Sequence, residues 1–175
     1  MNKALDELKI QAKILLKSAK DNQTSATLRL KNQYKSYQQE SALQPKLKHC
    51  QQVVAYESGF TDWQHAHHIL SGHEQSHDKQ INMGKFWRNN KCNALLNHWF
   101  GGYQEADSFH KEKPNTYLFP YQHQFIVATQ DYVNALGLQE LDPALWHDVQ
   151  NNLVVSYTSE AWDRIALARL RNKIN

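Results

Sequence analysis

Apolar side chains recur along most of this chain at three- and four-residue steps, the period that lines one face of an α-helix. Leu5, Leu8, Ala12, Leu15, Leu16 and Ala19 predict an amphipathic helix over residues 4–20, built from good helix formers throughout. Asp21-Asn22-Gln23-Thr24 breaks it. A second helix is expected over 25–39 with Leu28, Leu30, Tyr34 and Tyr37 as its apolar members, and Pro45 closes the connection after it. Leu47, Cys50, Val53, Val54 and Tyr56 mark a third, and Gly59 sits where a left-handed residue would end it. Thr61 is then expected to cap a fourth helix carrying Trp63, Ala66, Ile69 and Leu70 inward until Gly72.

Ser71 to Gln80 contains no apolar residue, and the chain is expected to divide there. The resulting parts are an N-terminal basic helical module (1–70), a polar linker or loop (71–83) and an aromatic-rich helical part (84–175). In the last part, Phe86, Leu95, Leu96 and Trp99 suit a helix ended by Gly101-Gly102, and a short helix over 103–110 follows. KPNTYLFPY is expected to be a proline-bounded loop. Residues 122–136, with Phe125, Ile126, Val127, Tyr132, Val133 and Leu136 before Gly137, are predicted as one helix. Asp142-Pro143 opens another through Trp146 and Val149, and Ser159–Lys173 closes the chain as a helix. Leu153-Val154-Val155 is the only β-rich run noted, too isolated to build a sheet. The expected fold class is therefore all-α, a compact multi-helix bundle of two closely packed helical parts.

Composition supports a packed core: 175 residues, 41% hydrophobic, need no metal or disulfide staple to fold. No apolar run approaches the ~18 residues that would span a bilayer, and the first twenty residues are charged throughout, unlike a secretory signal. Cys50 and Cys92 stand apart in no metal or redox spacing. A cytoplasmic, non-membrane protein without a cofactor is the expectation.

Charge changes this picture, because the net +3 conceals an asymmetry. Residues 1–50 hold ten Lys/Arg against four Asp/Glu, and residues 51–175 hold ten against thirteen. The basic end presents Lys9, Lys13 and Lys17 at steps of four along the first helix, with Lys20 close by and Arg29, Lys31 and Lys35 further on. A stripe of this kind suits an acidic protein surface or the phosphates of a nucleic acid, although a merely solvated lysine face is the commoner meaning.

LDELKIQAKILLKSAKD, then LRL, then LKHCQQVVAYESGFTDWQHAHHIL resembles a short helical module of bacterial proteins that ends in an A-x-E-x-G-F-x-S-W signature. That module is found before ankyrin repeats and in domains labelled glyoxalase-related. Residues 3–70 carry the resemblance, with the signature standing as Ala55, Glu57, Gly59, Phe60, Asp62 and Trp63, and with Asp62 in place of the usual serine. The resemblance implies a helical fold and supplies no catalytic residue.

Three constellations offer chemistry. His73-Glu74-Gln75-Ser76-His77 matches HExxH, the helical spacing by which two imidazoles bind zinc beside a glutamate base. It lies in a stretch with no apolar anchor, and a solvated linker is favoured. His65, His67, His68, His73 and His77 are a dense set without a closed four-ligand spacing. Residues 51–70 have the layout of a helix-turn-helix, yet the second helix carries Asp62 near its N-terminus and no Lys or Arg, so the plugging of a small core by Phe60 and Trp63 is favoured over DNA reading. Trp87, Trp99, Trp146 and Trp162 with Tyr103, Tyr117, Tyr121 and Tyr132 are expected to be core unless exposed. No P-loop, no GxGxxG and no readable nucleophile–base pair occurs. The leading expectation is a non-enzymatic binding or adaptor protein that engages a macromolecule through the basic N-terminal helices, with Lys9, Lys13, Lys17 and Lys20 as the partner-binding residues, or through the aromatic C-terminal part. Nucleic-acid binding through residues 51–70 is the alternative, and a zinc hydrolase through His73, Glu74 and His77 the second.

Overall fold

The computed structural model describes residues 2–33, 44–73 and 81–172. Among the described residues, four helices come first: α1 (Lys3–Lys20), α2 (Thr24–Gln33), α3 (Leu47–Glu57) and α4 (Trp63–Ser71). Then follow a 3-10 turn (Asn90–Ala94), β1 (His98–Phe100), α5 (Tyr103–Glu112), β2 (Tyr117–Tyr121), β3 (Gln124–Ala128), α6 (Gln130–Ala135), α7 (Pro143–Asp148) and α8 (Glu160–Arg171). The strands form one antiparallel sheet in the order β1-β3-β2. The fold is mixed α/β, and the all-α expectation is corrected.

The reason lies in what each strand buries. Strands half exposed to water alternate apolar and polar residues, whereas strands covered on both faces read as continuous apolar runs that periodicity cannot separate from a buried helix. Phe125, Ile126, Val127 and Ala128 of β3 are all buried. Ile126 and Phe119 face the main core, while Leu118, Phe125 and Val127 face α5 and close a smaller core with Ala106 and Val154. The helix predicted over 122–136 is thus β3 followed by α6, and KPNTYLFPY holds β2. The helix expected to end at Gly101-Gly102 is the 3-10 turn followed by β1. The β2–β3 hairpin turns on Gln122-His123, with Gln122 at φ 51°, and lacks the Asn-Gly signature that would have announced it.

Backbone bonds fix which way each strand faces. The Leu118 N–H donates to the Asn151 carbonyl at 2.8 Å and its carbonyl accepts from Leu153 at 2.9 Å, so residues 151–153 close the outer edge of β2. Alternation puts Pro120 on that same outer side, where its missing N–H takes no ladder bond from β3. Tyr117, Phe119 and Tyr121 then bond inward to β3, and Phe125 and Val127 bond to β1. His98 and Phe100 consequently face β3, which leaves the Trp99 N–H and carbonyl on the open side of β1.

α1 lies against α3 and α8, which brings the early and late parts of the chain together. Asp163 of α8 accepts the Lys3 N–H at 2.8 Å and the Ala4 N–H at 3.0 Å, serving as the N-terminal cap that Asn2 does not provide. Arg171 pairs with Glu7 at 3.0 Å, and Gln11 donates to the Leu170 carbonyl. A chain of rings continues the join: Phe60 stacks on Phe86, Phe86 meets Trp87, and Trp87 touches both Trp162 and Phe119. The Gly59 carbonyl accepts from Lys85 at 2.7 Å, an approach open only because Gly59 has no Cβ. One core cluster therefore runs from α1 to α8 across the polar segment.

Several helix ends match the sequence reading. Gly59 (φ 93°), Gly72 (φ 75°) and Gly137 (φ 75°) adopt the left-handed conformation, and Asp142 caps α7 ahead of Pro143. The cap of α4 is Asp62, which accepts the His65 N–H at 2.7 Å, rather than the expected Thr61. Leu28, an apolar member of the predicted second helix, is exposed, and residues 34–39 of that helix lie outside the described residues.

Candidate binding surface

α1 buries Ala4, Leu5, Leu8, Ala12, Leu15 and Ala19. One flank is occupied by the Glu7 and Gln11 bonds to α8. On the other, Lys9 is half-buried and bonds to Asp6 at 3.2 Å. Partial burial, the Lys9 charge and the neighbouring His68 and His73 hold the His67 imidazole below its ordinary pKa. The remaining face carries Lys13, Lys17 and Lys20, all exposed and without an ion pair among the described residues. Ile10 and Ile14, at 50% and 60% exposure, lie one turn apart beside them. The sequence reading named the lysines and missed the isoleucines, whose signal is their position off the inward stripe at an i, i+4 step.

The four lysines are therefore not equivalent. Lys9 pairs with Asp6, and Lys13, Lys17 and Lys20 form a cationic set without an ion pair among the described residues. A ridge of two aliphatic side chains along three ammonium groups can take an apolar residue of a partner while its carboxylates meet the lysines.

The segment with the helix-turn-helix layout makes several contacts within the fold. His65 Nδ1 accepts from the Thr61 N–H at 3.2 Å, and its Nε2 is 2.7 Å from the Asn82 carbonyl, so the ring clasps residues 82–86 to the α3–α4 turn. Phe60 is buried and Trp63 half-buried against the core. His65 and His68 border an open cleft with Thr61, Asp62, Gln64 and Asn82. His73 bonds to the Ser71 hydroxyl; Glu74 and His77 lie outside the described residues, and the HExxH arrangement with them. Among the described residues no group of three His, Cys, Asp or Glu side chains is placed to hold a metal ion.

Most of the aromatic set is core. Trp87, Trp162 and Tyr132 are fully buried and Trp146 nearly so. Trp99 is the exception at 42% exposure, with the Arg88 guanidinium 5.2 Å from its ring and Tyr121 edge-on to it at 5.3 Å. Tyr103 belongs to a polar knot beneath α5: it donates to Asp107 at 3.1 Å and accepts from Asn152 at 3.1 Å, and burial foremost pushes its hydroxyl up to about 12. A cleft of about 410 Å³ lies between the ends of α1, α4 and α8. Its main polar groups are taken up within the fold: Asp163 by α1, the Tyr157 hydroxyl by the Ile69 carbonyl at 2.7 Å, and Ser159 as the cap of α8.

No family model, curated protein or solved structure matches the chain. No helix among the described residues is long and apolar enough to cross a membrane.

Proposed function

We propose that this protein is a non-enzymatic binding module that engages an acidic segment of a protein partner through the outer face of α1. The observation that carries the reading is the exposure of Ile10 and Ile14 beside Lys13, Lys17 and Lys20, on a helix whose other sides are committed to packing. Apolar side chains of this size on a cationic face gain little from phosphates and more from an apolar partner side chain, which favours an acidic amphipathic peptide over nucleic acid. The reading agrees with the resemblance of residues 3–70 to an accessory helical module without catalytic residues. Nucleic-acid binding, expected from the sequence through residues 51–70, is the second reading, and the exposed lysines of α1 would add phosphate contacts to it.

The test is a titration of the isotope-labelled full chain with a synthetic acidic amphipathic helix, and in parallel with duplex DNA and RNA. Peptide binding that shifts the Ile10 and Ile14 methyl signals, weakens with salt and drops about tenfold in Lys13→Glu/Lys17→Glu supports the proposal. Binding to nucleic acid alone transfers support to the second reading. Peptide binding that leaves these methyls unmoved, or no binding to any probe, overturns it.

A further inference from the structure

Residues 79–104 and 113–130 contain no Asp or Glu, although residues 51–175 as a whole carry more acid than base. Glu105, Asp107 and Glu112 fall between these stretches, but they belong to α5, which covers the sheet face made by Leu118, Phe125 and Val127. Trp99 stands opposite Ile126, and Tyr121 shares the parity of Phe119, so both rings lie on the other face. Lys85, Arg88 and Lys91 accompany them, without an ion pair among the described residues. The Gln122 N–H donates to the Gly84 carbonyl at 2.9 Å, which sets Lys85 beside the end of β2. Arg88 bonds to Asn93 at 2.6 Å and so ties in the 3-10 turn that carries Lys91. Its guanidinium lies 5.2 Å from the Trp99 ring and 5.7 Å from the Tyr121 ring, and its Nη1 is buried without a partner. Every group that holds this cation is neutral, and its charge is left uncompensated by the fold.

We propose that this surface binds a single-stranded polynucleotide, with a base stacked on Trp99 and the flanking phosphates met by Lys85, Arg88 and Lys91. Every base has a π-face, so an exposed indole beside cations accepts any unpaired base, whereas a duplex keeps those faces stacked inside. Trp99 is 42% exposed, while Trp87 and Trp162 are fully buried. Tyr121, edge-on at 5.3 Å, and Arg88 already hold the indole in place, so little side-chain freedom is lost when a base arrives. The Asn93 carbonyl oxygen is taken by Arg88, and its NH2 group is left to donate to a phosphate or a base edge. An acidic peptide would meet the cations but gain nothing specific from two flat rings. The aliphatic ridge of α1 suits such a peptide better, and the two surfaces share no residue. This site therefore stands or falls independently of the acidic-segment reading.

The experiment is fluorescence anisotropy of short labelled oligo(dT), oligo(U) and a duplex, titrated with the full-length chain over a series of salt concentrations. Both single strands are expected to bind more tightly than the duplex, and the tighter of the two identifies DNA or RNA as the source. Three cations on phosphates give a slope of log K against log salt of about −2, at roughly 0.7 per contact. Stacking and charge then separate. Trp99→Ala should weaken binding about tenfold with the slope kept, and Trp99→Tyr, which restores a ring, should recover most of it. Lys85→Gln/Lys91→Gln should flatten the slope by about 1.4, and Lys13→Gln/Lys17→Gln should leave it unchanged. Far-ultraviolet spectra confirm that each variant is folded. The proposal is overturned by no binding to either single strand, by a duplex that binds as tightly, by indifference to Trp99→Ala, or by a slope that depends on Lys13 and Lys17 instead. Displacement of the oligonucleotide by the acidic helix of the earlier titration, with movement of the Trp99 indole signal, would assign the surface to a protein partner and overturn it as well.

Discussion

Asp163 shows how much a single side chain can hold together. Its carboxylate is buried, and both oxygens are taken by amides at the start of α1, so a charge otherwise costly to bury is neutralised against the positive end of a helix. Asp163→Ala leaves those amides without a partner and is expected to cost about 2 kcal/mol, read as a lower urea midpoint with unchanged slope; Asp163→Asn, which keeps one acceptor, should cost less. Glycines make a sharper contrast. Gly59→Ala imposes a side chain at φ 93° and a Cβ 2.5 Å from the Lys85 carbonyl carbon, and a loss of at least ~2 kcal/mol is expected. Gly101→Ala meets open space and should leave the melting temperature nearly unchanged. Sequence alone named Gly59 as a helix terminator; that it also admits a distant backbone was invisible, because the partner lies 26 positions away at Lys85.

The helices of the first seventy residues were legible because each has one wet face, and a period of 3.6 survives only where burial is one-sided. The sheet was illegible for the opposite reason. Phe125 to Ala128 are covered on both sides, Pro120 reads as a loop residue until β2 is known to be an edge, and Gln122-His123 is no turn signature. The proposed binding face of α1 was half legible: lysine spacing could be counted, but the exposure of Ile10 and Ile14 depends on which sides α3 and α8 occupy. Packing also sets a pH response in α3 and α4. His49 is held below its ordinary pKa by partial burial and then by Lys48 and Lys46, and His67 by partial burial and then by Lys9, His68 and His73. A lowered folded-state pKa means that the unfolded chain takes up protons first as pH falls through 6.5, so stability declines with acidification and the loss is complete below the folded pKa values. Denaturant midpoints between pH 7.5 and 5 should fall in the native chain and fall less in His49→Gln/His67→Gln. An unaltered slope in that variant would assign the response elsewhere.

For the whole molecule, the ring chain from Phe60 through Phe86 and Trp87 to Phe119 and Trp162 makes one cooperative body of elements that the polar segment at 71–80 separates in sequence. Rings at these separations add roughly 0.5–1.5 kcal/mol per pair beyond their burial. Breaking the chain at Trp87, as in Trp87→Ala, should cost about 3–5 kcal/mol, and unfolding followed by tryptophan fluorescence and by circular dichroism should still coincide. The cap that Asp163 gives α1 has a further consequence during synthesis. Its donors at Lys3 and Ala4 leave the ribosome about 160 residues before their acceptor. At roughly 5–20 residues per second, α1 must wait some 8–30 s for the helix that completes it. Nascent chains stalled before α8 should therefore be cut readily by protease within α1, and the same chains released with α8 in place should resist: a helix made early is secured only by one made late.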